Sequence, residues 1–335
     1  MIARAALPAL LAALIAASAV GCGGDATMRD GSVAAVIKGL DNPFFAAMRE
    51  GLVETARRHG TPLRVTAAAG LQDTAGQASK LESLIADDPG CYVVNPINGT
   101  NLAQALGHIP DGVPIVNIDS PVGAESAAAV GAKITTYIGT DNVAAGRLAA
   151  DAMAALVGRR AQVAVIAGIP GDSSSGARTE GFRNGAGGRF DVVATSAADF
   201  ERGKARLAAE AVLQGEPAIK GFFAVNDEMA LGVADAVRAA GRTGKVAVVG
   251  VDGIRQALAA VKSGALSATV AQYPYTIGQL GLEACLVAMR GGRVPARLDS
   301  PITVVTRDNV ARAQANFPKP SESFRSPLGK LLEAG

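Results

Sequence analysis

Short runs rich in Val and Ile alternate with Ala-rich stretches from residue 32 onward, and this alternation strongly constrains the fold. The runs SVAAVIK (32–38), CYVVNP and KVAVVGVD predict strands, whereas PFFAAMREGLVETARRHG (43–60) and VAAGRLAADAMAALVG (143–158) predict helices. Strands that alternate with helices are typical of βαβ units and parallel sheets. Continuously apolar strands indicate sheets that are covered on both faces. The sequence therefore predicts an α/β fold with doubly wound parallel sheets.

The number of these units predicts two lobes. About ten βα units are too many for one small sheet, and a chain of 335 residues is long enough for two domains. No long Pro- or Gly-rich linker divides the chain, so we expect a short hinge. IGTDN (138–142) is the best candidate, because Asp141 or Asn142 can begin the next helix. The tail, 317–335, is rich in Pro and Ser, and we expect it to pack loosely on the surface or to be disordered.

The first 21 residues have the pattern of an export signal, with one Arg, an apolar run and then small residues. The apolar run is too short for a secure membrane span. The stretch AVGC, which ends at Cys22, resembles a bacterial lipobox, in which the Cys is lipidated and becomes the mature N-terminus. Residues 22–31 would then form a flexible tether, and the lipid would be the only membrane attachment. The alternative is cleavage after Ala19, which would release a soluble secreted protein.

Several classes of function lack support in the sequence. The net charge is +2 and the Arg residues are mostly dispersed, which argues against a nucleic-acid surface. His59 and His108 are too few and too far apart for a His-based metal site. There is no phosphate-binding loop, dinucleotide fingerprint or nucleophile elbow, so we expect no cofactor. Cys91 and Cys285 have the sequence context of small buried hydrophobic residues. A disulfide between them is possible in an exported chain, although nothing in the sequence supports it.

Polar residues follow the predicted strands at the points where the strands end. Lys38, Asn95, Asp119, Asn226 and Asp252 all have this position. Ligands bind outside the carboxyl ends of the strands in open α/β sheets, so these residues mark an expected ligand site. A single Asp after a strand is more often a helix N-cap, but several polar residues together favour a site. An enzyme that pairs Asp119 with Asp252 as acid and base is an alternative, although a glycosidase cleft usually has more aromatic residues than this chain offers.

Seven motifs give a more specific indication when they are taken in order. DNPFFAAMREG, VNIDS, TDNVAAG, ADFERGK, NDEMALG, VVGVDG and TVAQYP occur in this order over residues 33–275. Together they resemble the sugar-binding proteins of bacterial ABC importers, in the ribose-binding and allose-binding group. The resemblance implies the type I periplasmic binding protein fold, in which two α/β lobes close on a monosaccharide and the chain crosses between them three times. It places lobe one at 32–139 plus 274–301 and lobe two at 140–273 plus 302–316. The crossings fall near Gly139, Gln272–Tyr273 and Ser300–Pro301.

The resemblance also implies which residues bind the sugar. They comprise aromatic side chains, two carboxylates, two cations and three amides, namely Lys38, Asn42, Phe44, Phe45, Asp119, Arg178, Phe200, Asn226, Asp252 and Gln272. Lys38 matches the allose type, where the ribose type has Ser. The chain departs from the ribose type at Ser120, where that type has Arg, and at Val251, where it has Phe. Ribose is therefore in doubt, and a hexose or a related polyol is at least as good a candidate.

Five of these residues also have a purely local interpretation. Phe45 could pack a helix on a sheet, Asn226 and Asp252 could cap helices, Lys38 could be a solvated strand end, and Arg178 could pair with Glu180. The expected partners are a monosaccharide and an ABC permease, with a chemoreceptor as a further candidate, and we expect a monomer without enzymatic activity. The competing function is the effector domain of a sugar-responsive repressor. Such a repressor would begin with a DNA-binding helix-turn-helix, where this chain has an export signal.

Overall fold

The computed structural model describes residues 1–2 and 31–333. The export signal from residue 3 onward, Cys22 and the tether up to residue 30 lie outside the described residues, as do the last two residues of the tail. Within 31–333, no helix combines the length and the apolar character that crossing a bilayer requires.

Lobe one contains a six-stranded sheet. Its strands are β1 (Val33–Ile37), β2 (Leu63–Ala67), β3 (Cys91–Val94), β4 (Ile115–Ile118), β5 (Thr136–Gly139) and β11 (Arg297–Asp299). They have the order β11-β5-β4-β3-β1-β2, and every pair is parallel. Its helices are α1 (Pro43–His59), α2 (Thr74–Ile85), α3 (Ala103–Leu106), α4 (Ala124–Ala129), α10 (Pro274–Met289) and α12 (Gly329–Glu333).

Lobe two contains a second six-stranded sheet. Its strands are β6 (Ala161–Ala167), β7 (Phe190–Ala197), β8 (Gly221–Ala224), β9 (Ala247–Asp252), β10 (Ala268–Gln272) and β12 (Ile302–Val305). The order is β12-β10-β9-β8-β6-β7, and β12 pairs with β10 as the antiparallel strand of an otherwise parallel sheet. Its helices are α5 (Asn142–Val157), α6 (Ser173–Ala186), α7 (Arg202–Gly215), α8 (Asp227–Ala239), α9 (Arg255–Ser263) and α11 (Val310–Asn316).

The two lobes repeat one topology, which confirms the predicted α/β fold. In each sheet the first strand of the lobe lies between the second and the third, so the strand order reverses beside it. That reversal leaves a crevice at the carboxyl ends of the strands, where ligands bind in folds of this kind. The architecture therefore provides two ligand-facing edges, one on each lobe.

The apolar strands are explained by the two cores on either side of each sheet. In β1, Val33, Ala35 and Ile37 pack into the core beneath α1 and α10, while Ala34 and Val36 pack into the core beneath α2 and α3. Successive side chains of a strand point to opposite faces, so a strand with both faces covered is apolar at every position.

The chain passes between the two sheets three times. It leaves the first sheet after β5 and enters α5, whose N-cap is Asp141, as predicted. It returns between β10 and α10, and it crosses again between β11 and β12. Each connection is a few residues long, so the lobes are joined by three short segments of backbone.

Cys91 and Cys285, whose pairing could not be decided from the sequence, form a disulfide. Both residues are fully buried, Cys91 at the start of β3 and Cys285 within α10. They are 194 positions apart in sequence, which explains why spacing gave no indication of the bond. The disulfide links the first segment of lobe one to the segment that returns after lobe two.

Residues 317–333 of the tail lie on the surface, as one of the two expectations had it, but they are anchored at several points. Leu328 is 1% exposed and lies in the core of lobe one, and Phe324 and Leu332 pack against the same core. At the other end of the tail, Phe317 packs against the core of lobe two. The tail therefore runs from one lobe to the other.

Candidate functional site

A cavity with an empty volume of about 460 Å³ lies between the lobes, at the carboxyl ends of both sheets. Nine of the ten predicted site residues line it, and Gln272 lies directly behind it on Asp252. The lining residues come from many separate elements: Lys38, Asn42, Phe44, Phe45, Leu71, Asp119 and Ser120 from lobe one, and Asp172, Ser174, Arg178, Phe200, Asn226 and Asp252 from lobe two.

Lys38 follows β1 and reaches across the edge of the sheet to β4. Its ammonium donates a hydrogen bond to Ser120 Oγ at 2.6 Å and lies 3.8 Å from Asp119 Oδ2. It also lies 5.4 Å from the centre of the Phe45 ring, within range of a cation–π contact. Lys38 is 6% exposed, so its interpretation as a solvated strand end is wrong.

The start of α1 places an amide and two rings at the cavity. Asn42 is the N-cap, and its Oδ1 accepts a hydrogen bond from the Phe44 amide at 2.9 Å. Pro43 then begins the helix, where its missing N–H needs no partner. The rings of Phe44 and Phe45 meet edge to face with centres 5.4 Å apart. Both rings are buried in the core of lobe one and both line the cavity, so Phe45 has its expected packing role as well.

Arg178 and Asp252 form the charged part of lobe two. The guanidinium of Arg178 donates to Asn142 Oδ1 at 2.7 Å and to the Val225 carbonyl at 2.8 Å, and it lies 3.6 Å from Asp252 Oδ1. Gln272 Nε2 donates to Asp252 Oδ1 at 2.7 Å. Within the described chain the acid beside Arg178 is therefore Asp252 and not Glu180. Asp252 does not cap α9, whose N-cap is Ile254, so that local interpretation is wrong as well.

Asn226 and Phe200 complete the lobe-two wall. Asn226 caps α8 by accepting from the Met229 amide at 2.9 Å, so its local interpretation is correct, and it lines the cavity at the same time. Phe200 has a positive φ of 63°. Its ring covers Gly168, where an added Cβ would come within 2.3 Å of the ring, so the ring requires glycine there.

Of the two predicted carboxylates, Asp252 is buried and the Asp119 side chain is only 12% exposed, and burial raises the pKa of each. For Asp119 the nearby Lys38 and Arg178 oppose this rise, whereas Asp172 adds to it. For Asp252, burial is again the main cause; Arg178 and the Gln272 hydrogen bond oppose the rise, and Asp227 reinforces it. A hydrogen-bond donor that arrives from a ligand would favour the charged form of either group.

The prediction missed four lining residues. Ser120 departs from the ribose type in the sequence. Its contact with Lys38 could not be predicted, because it exists only once the fold has brought the ends of β1 and β4 together. Asp172 accepts from the Ser175 amide at 2.7 Å as the N-cap of α6, a role that its position before three serines indicates. Leu71 and Ser174 carry no signal that distinguishes them from other loop residues.

The cavity combines aromatic faces with a rim of fixed donors and acceptors. Carboxylates accept hydrogen bonds, Lys and Arg donate them, and amides do both. In the part of the chain that the structure describes, no group of His, Cys, Asp and Glu could hold a metal ion. This arrangement suits a small, uncharged ligand with an apolar face and hydroxyl groups around its edge.

Comparison with known families identifies the family and the fold. The model of the periplasmic binding protein domain matches residues 33–293. The chain belongs to the periplasmic binding protein family. The resemblance and the fold inferred from the seven motifs are thereby confirmed. Members of this family bind solutes, which agrees with the expectation that the chain is not an enzyme.

Three relatives show how near this periplasmic binding protein is to known members. It is 36% identical to the ribose import binding protein of Bacillus subtilis (strain 168) over 80% of this chain and 85% of that one. It is 35% identical to the D-allose-binding periplasmic protein of Escherichia coli (strain K12) over 78% of this chain and 85% of that one. An ABC transporter periplasmic solute binding protein from Actinobacillus succinogenes 130z, solved with bound D-allose, superposes with a TM-score of 0.78 at 31% identity, covering 84% of this chain and 99% of that one.

Proposed function

We propose that this periplasmic binding protein is the substrate-binding component of an ABC sugar importer, which captures a monosaccharide between its lobes and delivers it to a membrane permease. One observation carries the proposal: residues from both lobes, far apart in sequence, line one cavity with the chemistry that a sugar needs. The family membership and the sugar-binding relatives support the same function.

The proposed binding residues match the two surfaces of a sugar. Phe44, Phe45 and Phe200 would pack on its C–H faces. Asp119 and Asp252 would accept hydrogen bonds from its hydroxyl groups, and Lys38 and Arg178 would donate to its oxygen atoms. The side-chain oxygen of Asn42 caps α1 and that of Asn226 caps α8. The NH₂ group of each side chain would therefore be the part that donates to a ligand. Gln272 would act through Asp252, to which it donates.

Two features, one in each lobe, bear on the identity of the sugar. The ammonium of Lys38 lies beside Asp119, and Ser120 accepts from it. Val251, where the ribose type has an aromatic ring, is fully buried and offers no stacking surface. Both features favour the allose type, so D-allose is the first sugar to test, followed by other hexoses, pentoses and polyols.

We further propose that the lobes, 32–139 plus 274–301 and 140–273 plus 302–316, close on the sugar about their three short connections. The protein would be a monomer, exported and anchored by a lipid on Cys22, and it could also present its closed form to a chemoreceptor. Membrane fractionation of Cys22→Ser tests the anchor. Release of the variant supports lipidation, whereas unchanged association with membranes contradicts it.

Calorimetric titration with D-allose, D-ribose, D-arabinose and xylitol tests the function, after a wider thermal-shift screen of monosaccharides. A sugar at about 100 times its Kd should stabilise the folded protein by about 2.7 kcal/mol. Analysis of the sugar after incubation should recover it unchanged, because no reaction is expected. A screen in which no monosaccharide or polyol stabilises the protein would contradict the proposed function.

A further inference from the structure

We propose that Asp227 is a positioning residue whose buried carboxylate holds the turn that presents Asp252 to the cleft. The proposal rests on the proposed function, because it takes Asp252 to be a sugar ligand. Asp227 is the first residue of α8 and does not line the cavity. It acts on the sugar only through the backbone that follows β9.

The hydrogen bonds of Asp227 converge on that turn. Its Oδ2 accepts from the Gly253 amide at 2.7 Å and from the Ile254 amide at 3.0 Å. Its Oδ1 accepts from Thr269 Oγ1 at 2.7 Å. The carboxylate, which is fully buried, therefore joins the start of α8, the turn after β9 and the strand β10.

The turn is in a conformation that most residues avoid. Asp252 has a φ of 135° and Gly253 has a φ of 74°. A positive φ is disfavoured for a residue with a Cβ, so the surroundings must hold Asp252 in place. Gly253 also lies against β10, where an added Cβ would come within 2.6 Å of the Ala271 Cβ. The amides of Gly253 and Ile254 both donate to one oxygen of Asp227, and this fixes the backbone that directly follows Asp252.

β9 leaves a space for this carboxylate. At Gly250 an added Cβ would lie 2.3 Å from Asp227 Oδ1, so any larger residue would displace the acid. An apolar side chain of similar volume would pack α8 against β9 without the unfavourable burial of a charge. What an apolar side chain cannot do is accept the two amide hydrogen bonds of the turn. This requirement, and not core packing, explains a carboxylate at this position.

The test compares three single variants by calorimetric titration. The ligand is whichever of D-allose, D-ribose, D-arabinose and xylitol binds the wild type best. Asp227→Asn keeps the shape and removes the charge, so the turn is held more weakly and the Kd should rise about tenfold. Thr269→Val removes one of the three donors and should raise the Kd about threefold. Asp235→Asn is the matched control, since Asp235 lies on the same helix with its side chain 43% exposed, and it should bind like the wild type. If Asp227→Asn fails to fold, Thr269→Val decides the question.

A double-mutant cycle separates positioning from general loss of stability. In an Asp252→Asn background the effect of Asp227→Asn on affinity should shrink to less than about twofold, because the group that it positions is already altered. Equal effects in both backgrounds, or wild-type affinity for both Asp227→Asn and Thr269→Val, would overturn the proposal.

Hydrogen exchange of the ligand-free protein gives a measurement that needs no sugar. The amides of Gly253 and Ile254 should lose protection in Asp227→Asn and keep it in Asp235→Asn. If the wild type binds none of the tested sugars, the proposed function fails, and hydrogen exchange still decides whether Asp227 holds the turn. Unchanged protection of both amides would overturn the positioning role whatever the ligand is.

Discussion

Lobe one and lobe two have the same strand order, yet they hold their cleft residues in different ways. Asp119 follows β4 and Asp252 ends β9, which are equivalent strands of the two sheets, and both residues have a positive φ. In lobe two, Arg178 is fixed by two acceptors and Asp252 by Gln272. In lobe one the cation is Lys38, a point charge on a flexible stem. The comparison indicates that lobe two is the more rigid wall of the site and lobe one the more adaptable.

The two lobes also differ in how they are stabilised. Lobe one is assembled from chain segments that flank lobe two in sequence, and the Cys91–Cys285 disulfide links those segments. The tail adds a second attachment: Lys319 lies 3.6 Å from Glu54 on α1, and Ser326 donates to Glu283 on α10. Lobe one therefore has a covalent bond and a docked tail in addition to its core, whereas the disulfide does not reach lobe two.

Removal of the disulfide should have the largest effect and should act on lobe one. The double variant Cys91→Ser/Cys285→Ser frees a loop of 194 residues in the unfolded chain, so the free energy of unfolding should fall by about 4 kcal/mol. Calorimetric melting measures the change. A reductant should lower the melting temperature of the wild type and leave that of the variant unchanged. Equal melting temperatures of the wild type and the double variant would show that the disulfide does not stabilise lobe one.

Loss of either cleft carboxylate should have the next largest effect, on affinity. A hydrogen bond to a charged group contributes roughly 1.5–3 kcal/mol. Losing two of them, with water partly compensating, should weaken sugar binding in Asp119→Ala and in Asp252→Ala by about 3 kcal/mol, or about 100-fold.

The controls for the carboxylate variants are Asp111→Ala and Asp235→Ala, which remove exposed acids from lobe one and lobe two. Titration with the best-binding sugar should show wild-type affinity for both controls. The melting temperatures of the cleft variants should stay near that of the wild type or rise, because each variant removes an ionisable group whose charged form is disfavoured by burial. If only one cleft variant loses affinity, the two lobes do not contribute equivalent ligands.

Most of this site could be predicted because its residues follow strands in recognisable motifs. The polar residue at the end of an apolar strand is visible in the sequence, as Lys38, Asp119 and Asp252 show. The fold follows from the same pattern, since βαβ units allow few arrangements. Contacts between motifs could not be predicted in this way. The bond from Lys38 to Ser120 spans 82 positions and depends on β1 and β4 having come together.

The disulfide and the docked tail could not be predicted, because both depend on tertiary structure. Cys91 and Cys285 meet only after α10 returns to lobe one. The tail has the composition of a disordered segment, but Leu328 and its neighbours find a site on the lobe-one core that local composition does not reveal. Asp227 illustrates the same limit, since as the first residue of a helix it has the sequence pattern of an ordinary first-turn acid.

A smaller effect is expected where the tail docks on lobe one. Leu328→Ala removes a side chain that is 1% exposed, so unfolding should become easier by about 2 kcal/mol, at the lower end for buried Leu because the tail can detach locally. Leu331→Ala is the matched control, since Leu331 is 46% exposed and only three positions away. Thermal melting should separate the two. Identical melting of both variants would show that the tail does not stabilise lobe one.

The smallest effect concerns pH and distinguishes the two carboxylates. Burial raises the pKa of Asp252 to about 8 in the empty site. Sugar hydroxyl groups donate to the charged form, so binding should lower this pKa and release a proton near neutral pH. Affinity should therefore rise as the pH increases from about 6 to about 8, by about fivefold, since the neutral carboxyl group keeps part of its hydrogen bonding. The stability of the empty protein should change in the opposite direction. A carboxyl group with a raised pKa makes unfolding easier as the pH rises above its ordinary value near 3.8.

Titration in two buffers of different ionisation enthalpy counts the protons that sugar binding releases, and the lobe comparison predicts where they come from. Burial raises the pKa of both carboxylates and a cation opposes each rise, but the acid that reinforces the rise at Asp252, Asp227, is fully buried, whereas the one that reinforces it at Asp119, Asp172, is partly exposed. Asp252→Asn should therefore remove most of the pH dependence of affinity, and Asp119→Asn the smaller part. The reverse order would show that lobe one, and not lobe two, holds the carboxylate whose charge depends most on the sugar. Proton release that persists in both variants would place the titrating group outside this pair, and Asp227, whose pKa is also raised by burial, would be the next acid to replace.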